Sequence, residues 1–327
     1  MLKQILKTAV AVSLAVSVAF GAQGARFNVI DGDAEEAYSS FLSSKLDAIG
    51  FSVSDAHEKI NEAYEKTYGS PQDLPYDKEW MTSLDNLGFF PVSNDVKLRN
   101  LLIKAPELGA FSPFDLLIYK KKLENKTYIG HVSPSTMLDI LGIKDKVIRR
   151  EFTAIFGPLD ELIQKELGGK VAISGYNSLP EKTMMNFELT FDKADDLSAF
   201  TDTFQEKFEA AFEEKHYIIA GFKNFKEVYA DLNLKFDAYD AYWTYSLCHF
   251  TFSYNIFNKG RPDVGVFAPC SMYMYIKKGT NKLMIGMPLL TSWVATMDMK
   301  DPVKIKSIKD LDKDVIKIMK RLGTIEI

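Results

Sequence analysis

The chain contains one folding unit written twice. The stretch from Pro106 to Asp145 recurs from Pro262 to Asp301 without a gap, at a constant offset of 156 (262 − 106). Identical pairs include Pro106/Pro262, Gly109/Gly265, Phe111/Phe267, Pro113/Pro269, Tyr119/Tyr275, Lys121/Lys277, Gly130/Gly286 and Asp145/Asp301. A period this long lies outside the range of solenoid repeats. The chain therefore folds as two copies of one domain, and its function turns first on how the copies meet.

Each copy presents the same order of elements. Arg26–Ile30 reads as a strand, and Ala34–Ile49 as a helix with Tyr38, Phe41, Leu42 and Leu46 on one face. Ser54 or Asp55 is placed to cap a second helix that runs through Tyr64. In the second copy Met184–Phe191 is the strand, Asp195–Glu214 the long helix and Phe222–Asp231 the short one. Trp243–Leu247 echoes Trp80–Leu84 as W-x-x-S-L at an offset of 163 (243 − 80), which assigns seven extra residues (163 − 156) to the first copy within Val92–Lys104. A glycine pair, Gly168-Gly169, and a polar stretch through Pro180 mark a linker. The expected layout is a signal segment over 1–25, a first unit over 26–168, a linker over 169–182 and a second unit over 183–327.

The repeated core reads as a hairpin, Pro113–Lys120 with Thr127–Val132, matched by Tyr273–Ile276 with Leu283–Met287. Phe114, Leu116 and Ile118 on one side of the first strand, and Leu117 and Tyr119 on the other, make both faces apolar. An antiparallel sheet with one wet face would alternate apolar and polar residues. Both sides must then be covered, one by helices and the other by the partner unit. The fold class expected is α/β of the α+β type: two tandem two-layer units, each a mixed or antiparallel sheet with helices on one face, packed as an intramolecular pseudo-dimer.

The run P-x-x-G-x-F-[SA]-P, followed by an apolar strand, Y-x-K-K and I-G, resembles the domain-of-unknown-function 302 family in tandem. The resemblance covers both units and is strongest in the C-terminal half of each. It implies two-layer α/β domains with helices against a sheet, and it implies no reaction, cofactor or catalytic residue. The departures are the extra residues assigned to the first unit, and Phe114, Asp115 and His131 where the second unit has Cys270, Ser271 and Met287.

Lys3 and Lys7, the uncharged run Thr8–Ala19 and the small residues that follow have the pattern of a secretory signal peptide, with cleavage expected between Gly21 and Ala25. The run is shorter than the roughly 20 residues that span a bilayer. The pattern points to export, most simply to a periplasm, with no transmembrane segment in the mature chain. Loss of the two lysines moves the formal charge from −4 to −6 (−4 − 2). A mildly acidic surface of mixed sign is no partner for nucleic acid.

Signatures of familiar chemistry are missing: no C-x-x-C, H-E-x-x-H, G-x-x-x-x-G-K-[ST] or G-x-S-x-G occurs. Of four histidines, His57 falls on an expected helix and His216 just after one, both as surface residues. The two cysteines are the sharper lead. Asn258-Lys259-Gly260 lies midway between Cys248 and Cys270, so strands paired about that turn would set the thiols opposite each other. An oxidising compartment would then make a disulfide, contributing on the order of 3 kcal/mol; reduced core thiols and metal ligation are the alternatives. Pairing about Gly279-Thr280 sets Met272 opposite Met287, and Cys248, Cys270, Met272, Met274 and Met287 would share a face. Sulfur donors select soft ions such as Cu(I), whereas methionines filling core gaps need no ion. His131 takes the place of Met287 in the first unit and is a core residue or a site residue; Asp115 faces the other way.

No assembled catalytic set, cofactor or metal follows from these residues. The expected function is an exported, non-enzymatic binding module for a small apolar ligand, a soft metal or a protein partner between the units. Thiol-dependent redox work by Cys248 and Cys270, and an envelope scaffold without ligand, are the alternatives.

Overall fold

A computed structural model describes residues 22–69, 83–176, 178–192 and 196–327. Most of the signal segment, and Trp80, Met81 and Thr82 of the first W-x-x-S-L run, lie outside the described residues. In the first unit the elements are β1 (Ala22–Asp31), α1 (Glu35–Lys45), β2 (Ser52–Val53), α2 (Ile60–Tyr68), β3 (Leu84–Ser93), α3 (Asp95–Lys104), β4 (Phe114–Lys121), β5 (Lys126–Val132), α4 (Pro134–Ile140), α5 (Lys146–Glu166) and β6 (Lys170–Tyr176). The second unit continues with β7 (Met184–Thr190), α6 (Leu197–Glu213), β8 (Tyr217–Asn224), α7 (Phe225–Asp231), β9 (Tyr239–His249), α8 (Phe250–Ser253), β10 (Cys270–Lys277), β11 (Lys282–Pro288), α9 (Thr291–Thr296), α10 (Pro302–Arg321) and β12 (Ile325–Glu326). In both units a 3-10 turn leads into the hairpin, Pro106–Phe111 before β4 and Pro262–Phe267 before β10.

Each unit builds a six-stranded antiparallel sheet, in the orders β2-β3-β4-β5-β1-β6 and β8-β9-β10-β11-β7-β12. The two orders are the same when mate replaces mate, so the duplication holds over the whole unit. Helices form because the repeat carries both the stop and the stripe. Asp145 and its mate Asp301 are N-caps: their carboxylates accept from Val147 and Ile148, and from Val303 and Lys304. Behind the caps, Phe152, Ile155, Phe156, Leu159 and Ile163 make the buried stripe of α5, and Ile308, Val315, Ile318 and Met319 that of α10.

Several boundaries differ from the sequence reading. Lys170–Tyr176 is an edge strand bonded to β1, so the stretch assigned as linker contributes to the first sheet. Residues 222–224 end a strand, β8, before α7 begins. His57 is not helical; it bridges to Phe89, and its Nε2 donates to Ala220 O across the unit boundary at 2.7 Å. The W-x-x-S-L echo is also not structural. Met274 pairs with Trp243 while its mate Ile118 pairs with Gly88, so Trp243 stands where the first unit has Gly88, at an offset of 155 (243 − 88). The seven-residue insertion inferred from Trp80 therefore does not exist between these strands. The segment assigned to it ends β3 and forms α3, where the second unit has α8 and a π-turn over Tyr254–Asn258.

The second face of each sheet is covered by the other unit. The turn Pro106–Phe111 lies on β9, β10 and β11, and Pro262–Phe267 lies on β3, β4 and β5. The repeated glycines sit at these contacts. A Cβ at Gly109 would come within 2.8 Å of Tyr273 Cβ, and one at Gly265 within 2.9 Å of Leu117 Cδ1 and Phe89 Cε1. Polar groups close the seam: Tyr242 Oη donates to Pro106 O at 2.5 Å, Tyr239 Oη to Leu102 O at 2.7 Å and Tyr64 Oη to Ser253 Oγ at 2.8 Å. Lys223 reaches across to Asp95 at 2.7 Å and to Ser93 Oγ at 2.7 Å. Burial pulls its ammonium below the usual lysine value, and Asp95 offsets part of that.

Gly109→Ala and Gly265→Ala should each cost about 1–3 kcal/mol through overpacking. Gly157→Ala, on an open side of α5, should instead gain up to about 1 kcal/mol of helix propensity. Urea unfolding of the three variants checks this; equal effects would remove the close-packing explanation.

Candidate functional site

Cys248 and Cys270 are both free thiols, and the expected disulfide does not form. The cause is register. Cys270 stands opposite Leu247, one residue away from the pairing that the midpoint turn implied. A slip of one residue turns Cys248 to the other side of the sheet. There it bonds Ser253 at the unit seam, whereas Cys270 faces the Asp312 side of α10. The second expected register holds: Tyr273 pairs with Gly286 and Met274 with Ile285. Cys270, Met272 and Met274 therefore share a side by strand alternation, and Met272, Met274 and Met287 all belong to the buried core.

Burial pushes the Cys248 thiol up to about 11, against a small opposing effect of the Ser253 hydrogen bond. Cys270 is raised further from the ordinary thiol value, by burial first and then by the charges of Cys248 and Asp312. A protonated, shielded thiol is a poor nucleophile and a poor redox group. Two small cavities lie near these residues. One of about 20 Å3 is lined by Cys248, His249, Cys270 and Met287; the other, about 30 Å3, by Asp115, Cys270, Met287 and Trp293. Both are far below the roughly 300 Å3 at which small-molecule sites begin. Among the described residues, no three His, Cys, Asp or Glu side chains are grouped to hold a metal ion.

His131 sits under the helices of the first unit. Its Nε2 meets Asp160 Oδ1 at 3.0 Å and its Nδ1 meets Val132 O at 2.8 Å. Its cross-strand partner Arg26 also reaches Asp160, at 2.8 Å. Burial alone would raise the Asp160 carboxyl, but the bond and charge of His131, with Arg26, hold it below its ordinary value. Every polar atom of the imidazole is thus engaged in an internal network. Asp115 lies on the opposite side, as the alternation requires. It is buried with no side-chain partner, and burial raises it well above the carboxylate range, offset only in part by the main chain at Phe90.

Recesses of ligand size lie on the helix layer of the second unit, the larger, of about 620 Å3, being a shallow one beside Arg321. A cleft of about 360 Å3 opens on the helix side of the second unit, between the first turns of α6, the start of α7 and β9. Trp243 is buried beneath it, Tyr242 turns its ring to the seam, and Phe222 at its wall is 42% exposed. Asp202, Gln205 and Glu227 line it and enter no hydrogen bond or ion pair with the described residues. Lys226 is already held by Phe236 O and Tyr239 O, at 3.3 and 3.0 Å. The indole N–H of Trp243 is buried without an acceptor. Other recesses on this layer are lined by charges that are paired, as Arg321 is with Glu214 and Lys317 with Asp314. Sequence reasoning passed over the cleft because its residues come from three separate segments. The one available signal, Trp243, had been matched to Trp80 rather than to Gly88.

No family model and no curated protein matches this chain. A solved structure, that of an uncharacterized conserved protein DUF302 from Bacillus stearothermophilus, is similar at 22% identity. The match covers 42% of this chain and 98% of that one, with a TM-score of 0.33. It carries the family name that the P-x-x-G-x-F motif brings in, and its description states no activity. No helix among the described residues is long and apolar enough to cross a membrane.

Two expected outcomes follow. Asp115 keeps its proton in the fold to a higher pH than in the unfolded chain, so its contribution to stability falls as pH rises above about 4. Asp312, raised by burial to about 6, acts in the same direction between about 4 and 6. Asp115→Asn should therefore gain thermal stability relative to the native chain from pH 4 to pH 8; a constant difference would show that Asp115 titrates normally. Both half-buried, protonated cysteines should react with a thiol reagent more slowly in the fold than in the unfolded chain, as thiol counting over time with and without denaturant will show.

Proposed function

We propose that this protein is an exported, non-enzymatic binding module that takes a small molecule in the cleft between α6 and α7. The single observation that carries the reading is the contrast in space. The seam between the units holds a cavity of about 30 Å3, whereas the cleft offers about 360 Å3 beside the half-exposed Phe222. A ligand held between the units, the arrangement expected from duplication alone, would have to lift each turn off the sheet that its glycine touches. Export is supported by the basic start and short apolar run of residues 1–25. Half-buried thiols whose surroundings favour the protonated form weigh against the redox alternative.

Hydrogen–deuterium exchange on the mature protein, with a metabolite library, tests the reading. Protection confined to residues 197–205 and 222–227 is expected. Protection at residues 248–272 would move the ligand to the seam, and no protection by any compound would leave a scaffold. Fractionation of the native host with N-terminal sequencing checks export: a mature chain starting between residues 21 and 26 is expected, and an intact Met1 would exclude it.

A further inference from the structure

We propose that the exposed face of α10 is a docking surface for an anionic lipid bilayer. Lys306, Lys309, Lys313, Lys317 and Lys320 recur along it every three or four residues, and all five are exposed. At 3.6 residues per turn they fall within an arc of about 80° and run for about 21 Å. That arc faces away from the buried stripe of Ile308, Val315, Ile318 and Met319. The helix holds seven basic and three acidic residues, a net +4 (7 − 3), whereas the rest of the chain sums to −8 (−4 − 4). The first unit shows that the fold does not require this charge. Its α5 has an equivalent cap and buried stripe, yet carries four bases and four acids, a net charge of zero (4 − 4). At the offset of 156, Lys309, Lys313, Lys317 and Lys320 stand where the first unit has Thr153, Gly157, Glu161 and Gln164.

The lysines are only loosely held within the protein. Lys306 and Lys313 share Asp310, Lys317 pairs with Asp314, and Lys320 with Glu326. Lys309 enters no ion pair among the described residues. Pairs open to solvent contribute little to stability and are readily exchanged. The residue types favour lipid over a protein partner. Protein interfaces are poor in lysine and rich in aromatic residues and arginine, and α10 carries no aromatic side chain. Lysine is a compact charge on a flexible stem, suited to a fluid array of phosphate headgroups. Exposed aliphatic side chains stand at both ends of the helix, Val303 at its start and Ile325 and Ile327 just beyond its end. Aliphatic groups beside a lysine-rich face are what a helix lying on a membrane carries. The surface shares no residue with the cleft of α6, α7 and β9.

The test is co-sedimentation of the mature protein with vesicles of phosphatidylcholine alone or mixed with phosphatidylglycerol. Binding to the mixed vesicles is expected at low salt, with none to phosphatidylcholine alone. It should vanish in about 1 M salt, where screening shortens to about 3 Å. Each lysine near an anionic surface strengthens binding about fivefold. Lys309→Gln, Lys313→Gln and Lys317→Gln together should therefore weaken it about a hundredfold. Lys122→Gln, Lys126→Gln and Lys146→Gln remove the same charge from exposed positions of the first unit and should leave binding unchanged. Circular dichroism and melting temperature establish that both triple variants are folded. Equal loss in the two variants reduces the effect to net charge and overturns the α10 site. Equal binding to both kinds of vesicle, or to neither, overturns the lipid surface. Retention of duplex DNA without vesicle binding assigns the face to nucleic acid instead and overturns it as well.

Discussion

The contact on which the rest of the structure depends is the seating of each 3-10 turn on the opposite unit's sheet. Gly109 and Gly265 let main chain approach Tyr273 on one side, and Leu117 and Phe89 on the other, closer than a side chain would allow. This removes from water the face of β4 with Leu117 and Tyr119 and the face of β10 with Tyr273 and Tyr275. At about 25 cal/mol per Å2 of apolar surface buried, such a face is costly to leave exposed. Each unit thus completes the other, and the reciprocity explains why Pro106, Gly109 and Phe111 are shared with Pro262, Gly265 and Phe267.

The same contact shapes where function can reside. A seam this tight holds cavities near the size of a water molecule, so the space between the copies is structural interior. What the duplication made symmetrical, later divergence made different. The first unit places Arg26, His131 and Asp160 in an ionic network under its helices. At the corresponding hairpin position the second unit places Met287, opposite Met185. The second unit also gained an indole where the first has only Gly88. Its helix side is where the open cleft forms.

The buried polar groups fall into two kinds. Lys223 with Asp95, and Asp160 with Arg26, are charges whose partners offset the loss of water, and His131 adds a hydrogen bond to Asp160. Asp115 lacks such a partner and stays neutral by holding its proton. Its repeat mate Ser271 needs no such accommodation. The asymmetry at equivalent positions is a consequence of one unit carrying an acid where the other carries a hydroxyl, next to the same turn.

By itself, the sequence determined the duplication, the two-layer units and the apolar character of both faces of the first hairpin strand. These are local or periodic properties, readable wherever a side chain's neighbours are set by spacing along one element. Tertiary structure alone decided that Cys270 faces Leu247 rather than Cys248, because a one-residue shift in strand pairing costs nothing visible in the sequence and reverses every side chain. It likewise decided that Lys170–Tyr176 joins the first sheet and that Trp243 replaces Gly88. The cleft draws its walls from α6, α7 and β9. Its chemistry exists only once strand order and helix packing bring those distant segments together.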